Sequence, residues 1–379
     1  MLVSGTYIGE GATGADEELI EAVRDAAADI ARVGAGGQVR DASLVRAQWE
    51  QLCRGGWLGL LAAEARGGAG LSPAVMAAFY EALGAGGVTA NFAQPAVLAL
   101  AAIEACEPTA AGNRLIEALV AGTACPLLCW QTRSGEDEQE LAFVEITGGG
   151  DRLTVQAERL FVDLIELGTH FCLPARIAGR AGLLVVPRDD ASLSLLAVPG
   201  LSGEPLGELR LEGPVGQGAF LPLAAPDGLL RAFALARIAV AAQLAGLLDQ
   251  IIHVTAEYLV QRVQFGKAIA SNQVVQHRLV DLWGQKEVTR ASVAHACAMI
   301  SAGAEDAFVA ALAAKARAGE AAARVVKEAF QLHGAIGYTG EYQLGSLARG
   351  CLSLAPWLGS PKALRRRFVQ HELVLEAAA

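Results

Sequence analysis

Proline is absent between Pro226 and Pro356, although eight prolines crowd the stretch from Pro126 to Pro226. Because proline removes a backbone donor and clashes with the preceding turn, long helices exclude it. At the start of the empty stretch, Leu230, Phe233, Val240, Leu244, Leu247, Ile251 and Tyr258 step by threes, fours and sevens, the spacing of one helix face. The pattern predicts a bundle of long helices over residues 223–379.

The proline-rich middle follows another rule. Leu153, Val155 and Ala157 alternate against Arg152, Thr154, Gln156 and Glu158, just after Gly148-Gly149-Gly150-Asp151, which predicts a turn followed by a strand. Short apolar runs at Leu183 to Val186 and Leu193 to Val198 extend the reading to an antiparallel barrel or sandwich over residues 124–222. Residues 1–123 carry helical patterns at Ala15 to Ala31 and Ser43 to Leu52, and Ser72-Pro73 reads as an N-cap followed by proline at the first helical position. Helices, then strands, then helices is an α+β order, which disfavours a parallel dinucleotide-binding sheet.

With 53% apolar and 18% charged residues in 379, a large core is available. A net charge of −10 argues against nucleic acid as a partner, since that affinity is built from clustered Lys and Arg. The richest apolar stretch, Ala232 to Ile252, is interrupted by Arg237, Gln243, Asp249 and Gln250, so no membrane span is expected. The N-terminus shows no leader pattern, and the seven cysteines are an odd number without framework or metal spacing, which suits a reducing cytoplasm. Abundant Gly and Ala suggest closely packed helices with surface buried between subunits.

Local motifs exclude several chemistries. There is no phosphate-cradling glycine loop ending in Lys-Ser or Lys-Thr, no HExxH and no GxSxG. Six histidines are scattered, Cys125 and Cys129 read as core thiols, and no metal site is expected. Arg365-Arg366-Arg367 reads as a solvated or interface face of the last helix.

Two segments carry more information. In Gln261-Arg262-Val263-Gln264-Phe265-Gly266-Lys267, a cation precedes a Phe-Gly break. Such a corner either simply joins two helices or holds a cofactor pyrophosphate, with the aromatic packed on it. In Gln331-Leu332-His333-Gly334-Ala335-Ile336-Gly337-Tyr338-Thr339-Gly340-Glu341-Tyr342, the glycines either end a helix or let backbone approach a ligand. Together with Gln273-Val274-Val275-Gln276-His277 they resemble the C-terminal signature of acyl-CoA dehydrogenases, RxQFG, QxxQH and QxHGxxGYTxEY. Gly55-Gly56-Trp57-Leu58-Gly59-Leu60 and Gly67-Gly68-Ala69-Gly70-Leu71-Ser72 resemble the family's looser N-terminal pattern.

The resemblance implies an N-terminal helical domain, a middle antiparallel β domain, a C-terminal four-helix bundle, and dimers or dimers of dimers with FAD at the interface. It also implies oxidation of an acyl-CoA to its 2,3-enoyl-CoA, a glutamate taking the α-proton while the β-hydrogen leaves as hydride. Counting from Glu341-Tyr342, the base position is Leu358, and the alternative position used by some members, just before a helical arginine, is Ala236. That arginine is Arg237, the candidate contact for CoA. Residues implied to reach a neighbouring subunit's FAD are present: Arg262, Gln264, Phe265, Gln331 and Gly334, with Ala335 in place of a second glycine. Those implied to line a subunit's own flavin have departed, to Cys129-Trp130-Gln131-Thr132-Arg133 and Phe161-Val162-Asp163.

The expectation is a non-catalytic subunit that pairs with a homologous dehydrogenase, as in heteromeric enzymes of steroid and other lipid degradation. The alternatives are a homomeric flavoenzyme with a displaced base, such as Asp163 or Glu166, and a structural homologue that binds no flavin.

Overall fold

Residues 14–33, 42–133, 136, 138, 141–149, 152–215, 220–340 and 342–378 are described by a computed structural model of the chain. The N-terminal segment read for a leader, Gly150 and Asp151 of the predicted turn, and Glu341 lie outside the described residues.

The N-terminal third is helical: α1 (Gly14–Arg32), α2 (Ala42–Gly55), α3 (Pro73–Ala85), α4 (Leu100–Glu104) and α5 (Ala110–Val120). α3 begins as its sequence requires, the Ser72 hydroxyl accepting from the Val75 N–H at 3.4 Å while Pro73 takes the first helical position. A π-helical stretch, Gln94–Ala99, leads into α4.

The middle of the chain forms β1 (Pro126–Leu128), β2 (Val144–Gly149), β3 (Arg152–Val162), β4 (His170–Ile177), β5 (Arg180–Pro187), β6 (Leu193–Pro199), β7 (Pro205–Val215) and β8 (Phe220–Pro222). Along β3 the predicted alternation holds where burial is described, with Val155 inside and Thr154, Gln156 and Glu158 outside. The sheet runs β6-β7-β3-β2-β4-β5-β8, with β1 also on β4. Most pairings are antiparallel, but β1 and β2 both lie parallel to β4, against residues 170–172 and 175–177 respectively, so the sheet is mixed. Side-chain alternation reports which face is buried and carries no information on strand direction.

The proline-free stretch folds as predicted into α6 (Gly228–Gln261), a hairpin of β9 (Val263–Gln264) and β10 (Lys267–Ala268), α7 (Gln273–Ser301) and α8 (Ala307–His333), followed by α9 (Leu344–Leu354) and α10 (Pro361–Ala378). α6 is long and apolar enough to cross a membrane, yet 94% of its most apolar window is buried inside the fold. Two glycines permit its crossing with α3. A Cβ on Gly246 would stand 1.9 Å from the Glu81 carbonyl oxygen, and one on Gly84 would stand 2.1 Å from that of Gln243. Buried amides tie the parts together: Gln243 donates to the carbonyls of Val88 and Ala90, and Gln94 bonds both backbone groups of Leu128 in β1.

Candidate functional site

The C-terminal ends of α6 and α8 emerge side by side, because Tyr258 stacks on His333 with ring centroids 4.6 Å apart. Arg262 lies one turn beyond Tyr258, and Gln331 two residues before His333, so both leave the bundle at the same end. Arg262 opens the β9–β10 hairpin, whose Gln264 and Lys267 pair across a two-residue turn. Phe265 and Gly266 at its tip have φ of 52° and 78°, the mirror-image turn that matches strand twist. The turn leaves the Phe265 ring fully exposed, and Arg262, Gln264 and Gln331 are exposed as well.

Gly334 caps α8 at φ 66° and ψ −143°, a region that side chains other than hydrogen rarely occupy, and a Cβ placed there would meet nothing within 4 Å. Behind it, Phe330 stacks on Tyr338 at 4.7 Å and the Tyr342 hydroxyl lies 3.3 Å from His333 Nε2. The five residues expected to serve a cofactor across an interface thus share one exposed end of the bundle.

The two expected base positions are buried. Ala236 and Leu358 have no exposed surface, and Leu358 is held at φ 59°. Its carbonyl accepts from Arg237 Nε at 3.1 Å and Nη2 at 3.0 Å. Arg237 is itself fully buried, and its two terminal nitrogens grip the two carboxylate oxygens of Glu138, Nη1 to Oε1 at 2.8 Å. Arg367 Nη1 reaches the same Oε1 at 2.8 Å. Burial alone would raise the Glu138 carboxyl, but the charges of Arg237 and Arg367 outweigh it and hold the group at about 2. A carboxylate so held is no proton acceptor near neutral pH.

Arg237 therefore presents no surface to CoA in this structure, and Arg367, read in sequence as part of a solvated or interface face, is drawn inward by the same acid. Next along the loop, the buried Lys315 ammonium donates to the Ala355 carbonyl at 2.7 Å. Glu138 and Lys315 were not singled out by sequence reasoning. Lys315 alone left a trace, a lysine set among alanines on an apolar helix.

On the other side of the same loop, Asp163 lines a cleft of about 190 Å³ with Gln131, Phe161, Leu206, Pro356 and Trp357. Phe161 and Leu164 flank it at φ 55° and 57°, left-handed conformations that non-glycine residues seldom take. Asn91 Nδ2 donates to Asp163 at 2.8 Å. Burial pushes this carboxyl up to about 7, the Asn91 bond opposing and the Glu204 charge reinforcing the rise. Glu166 is exposed.

These two regions answer differently to a flavin. The open surface at Gly334, with the exposed Arg262 guanidinium, the Gln264 and Gln331 amides and the Phe265 ring at the same end of the bundle, has the donors a pyrophosphate needs and room for its flanking rings. The Asp163 cleft, below the roughly 300–1,000 Å³ usual for a cofactor pocket, does not fit an isoalloxazine as it stands. Burial pushes the Cys125 and Cys129 thiols up, and among the described residues no cluster of His, Cys, Asp or Glu could hold a metal.

Residues 13–122 match the acyl-CoA dehydrogenase N-terminal domain and residues 228–373 the acyl-CoA dehydrogenase C-terminal domain. The 3-sulfinopropanoyl-CoA desulfinase of Paraburkholderia xenovorans (strain LB400) is 30% identical over 233 residues, covering 58% of this chain and 56% of that protein. The chain spans about half the length of the curated relatives it matches. A variant of the Tcur3481-Tcur3483 steroid ACAD superposes with a TM-score of 0.81 at 26% identity, over 96% of this chain and 99% of that one. The ChsE4-ChsE5 complex from Mycobacterium tuberculosis shares the fold, with a TM-score of 0.80 at 22% identity over 96% and 98% of the two chains. With both terminal domains matched and the fold shared throughout, the chain belongs to the acyl-CoA dehydrogenase family.

Proposed function

We propose that this chain is the non-catalytic subunit of a heteromeric, FAD-dependent acyl-CoA dehydrogenase, working in a reducing cytoplasm that suits its seven cysteines, none of which is in a disulfide. One contrast carries the reading: the cofactor residues at the end of the bundle are exposed, whereas Leu358 and Ala236 are apolar and sealed. Flavin, when bound, supplies the two-electron acceptor of the reaction. In this reading Arg262 holds its pyrophosphate, Gln264 and Gln331 offer hydrogen bonds, Phe265 packs on it and Gly334 lets the backbone come close. The partner supplies the isoalloxazine side, the base and the acyl-CoA pocket. Arg237 then serves the architecture of this chain and makes no contact with CoA. Similarity to a steroid ACAD named for two proteins supports a bulky acyl-CoA as substrate class.

The test is co-purification with homologous dehydrogenase chains and a count of flavins per chain. The isolated chain is expected to be colourless and inactive on acyl-CoA, and the mixed complex to carry about one FAD for every two chains. Arg262→Ala should weaken flavin binding in that complex about ten- to a hundredfold while the subunits stay associated, as loss of a charge-assisted contact does. A homomer with one FAD per chain and acyl-CoA turnover would overturn the proposal.

The Asp163 cleft favours a second reading, in which the chain acts alone with Asp163 as its base. That carboxyl stands beside Trp357, adjacent to the sealed base position, and its environment holds it near neutral pH. Turnover by the homogeneous chain that is lost in Asp163→Asn would select it.

A further inference from the structure

α7 turns one side, through Leu282, Lys286, Thr289, Val293 and Ala296, into the fold. Opposite it, at three- and four-residue steps, stand His277, Val280, Gly284, Val288, Ala291 and His295, with Val274 and Ala298 at the two ends. None of these positions holds Lys, Arg, Asp or Glu. Asp281 lies at the edge of the face, and Arg278 beside it is turned to Glu328 of α8 at 3.6 Å. Val274, Val280 and Val288 are nevertheless 62%, 64% and 53% exposed. A helix face left to water is ordinarily charged, and an apolar row of this length marks a surface that another element covers.

Gly284 stands in the middle of α7, where glycine weakens a helix, and a Cβ there would meet nothing within 4 Å. Other glycines inside the long helices are pressed by a neighbour: a Cβ on Gly246 would stand 1.9 Å from the Glu81 carbonyl oxygen, and one on Gly319 of α8 2.5 Å from Pro361 Cγ. Among the described residues nothing approaches Gly284.

We propose that α7 packs on α7 of a second copy of this chain, antiparallel about a twofold axis, with Val288 of each copy seated over Gly284 of the other. With the axis level with Lys286, this register also sets Val274 over Ala298, Val280 over Ser292 and His277 over His295, so that each valine meets a small residue. Ser292 tolerates being covered, because its hydroxyl already donates to the Val288 carbonyl at 2.8 Å. Two neutral imidazoles pair, each having one N–H and one acceptor nitrogen. Charge and shape select the same direction. Parallel copies would set Asp281 against Asp281 and Val288 against Val288, whereas the antiparallel register holds the two Asp281 about 15 Å apart along the axis, beyond the screening length at physiological salt.

Light scattering and sedimentation equilibrium on the isolated full chain should show a dimer. Gly284→Val puts bulk where the second copy's Val288 sits, twice by symmetry, and should weaken the dimer at least about tenfold. Val288→Gly leaves a void at the same place and weakens it too. Gly284→Val combined with Val288→Gly again sets one valine against one glycine, and association should recover toward that of the unaltered chain. An unaltered chain that stays monomeric at micromolar concentration, a dimer unmoved by Gly284→Val, or an exchange that recovers nothing would overturn the proposal.

Cysteine cross-linking reads the register directly, in the isolated chain or in a larger complex. Gly284→Cys and Val288→Cys chains, mixed and treated with a mild oxidant, should give a disulfide-linked dimer with one of each. Either chain alone should give little, since each position stands about one turn away from its own counterpart. Equal cross-linking in all three samples, or none in the mixture, would overturn the proposal. These readouts involve neither flavin nor turnover, so failure of the non-catalytic role would leave this contact standing, and the reverse holds as well.

Discussion

Lys315 Nζ donates to the carbonyl of Ala355 at 2.7 Å from a site with no exposed surface, which ties α8 to the start of the loop that carries Leu358. Burial lowers its ammonium to about 7, and the nearby Arg237 charge adds to the fall. Between about 7 and 10.5 the unfolded chain binds more protons at this lysine than the folded chain does, so its contribution to stability improves as pH rises through that window. Lys315→Met should remove this slope. The measurement is the melting temperature of both proteins across the window, and parallel curves would show that Lys315 does not titrate there.

Asp163 behaves with the opposite sign. Its folded carboxyl, raised to about 7 from 3.8, keeps a proton that the unfolded chain releases, so stability is lost as pH rises between those values and the loss is complete above 7. Asp163→Asn keeps an acceptor for Asn91 and carries no charge. The variant should therefore gain on the unaltered chain as pH rises from about 4 to 7, by an amount that chemical denaturation at each pH would read. A constant difference across that range would mean that the carboxyl is not the titrating group.

Gly334 tests the exposed end of the bundle. At φ 66° and ψ −143° an added methyl meets no neighbouring atom, so Gly334→Ala should destabilise through backbone strain alone, by about 1–3 kcal/mol. In a flavin-bearing complex the methyl would also lie where the cofactor must approach. Urea unfolding measures the first effect and retained flavin after gel filtration the second. Unaltered flavin content would separate Gly334 from the cofactor.

Glu138 predicts the acid limb of stability. Its carboxyl, lowered to about 2 from 4.5 in the folded chain, contributes stability that is fully present above about 4.5 and is lost as pH falls toward 2. Unfolding followed over that interval should be shallower in Glu138→Gln. Identical profiles would remove Glu138 from the acid limb.

Much of this was legible along the chain. The gap between Pro226 and Pro356 and the helical spacing from Leu230 to Tyr258 marked the long helices, because helix formation answers to neighbours within a turn or two. Arg262, Gln264, Phe265, Gln331 and Gly334 could be offered as cofactor candidates because the short contiguous segments that hold them resemble those of the acyl-CoA dehydrogenase family. That Leu358 and Ala236 bring no acid to the expected base positions also needed only counting. What the tertiary structure decided was everything that depends on distant residues meeting. Nothing along the chain marks Glu138, and Arg237 reads as a candidate ligand contact, until the fold brings Glu138 and Arg237 together across 99 residues. The same holds for Arg367, drawn in from a basic run 229 residues from Glu138, and for the parallel seating of β1 and β2 on β4. Burial turns a solvated charge into one that must be paired, and strand direction is set by which edge the chain returns to; neither leaves a periodic mark in sequence.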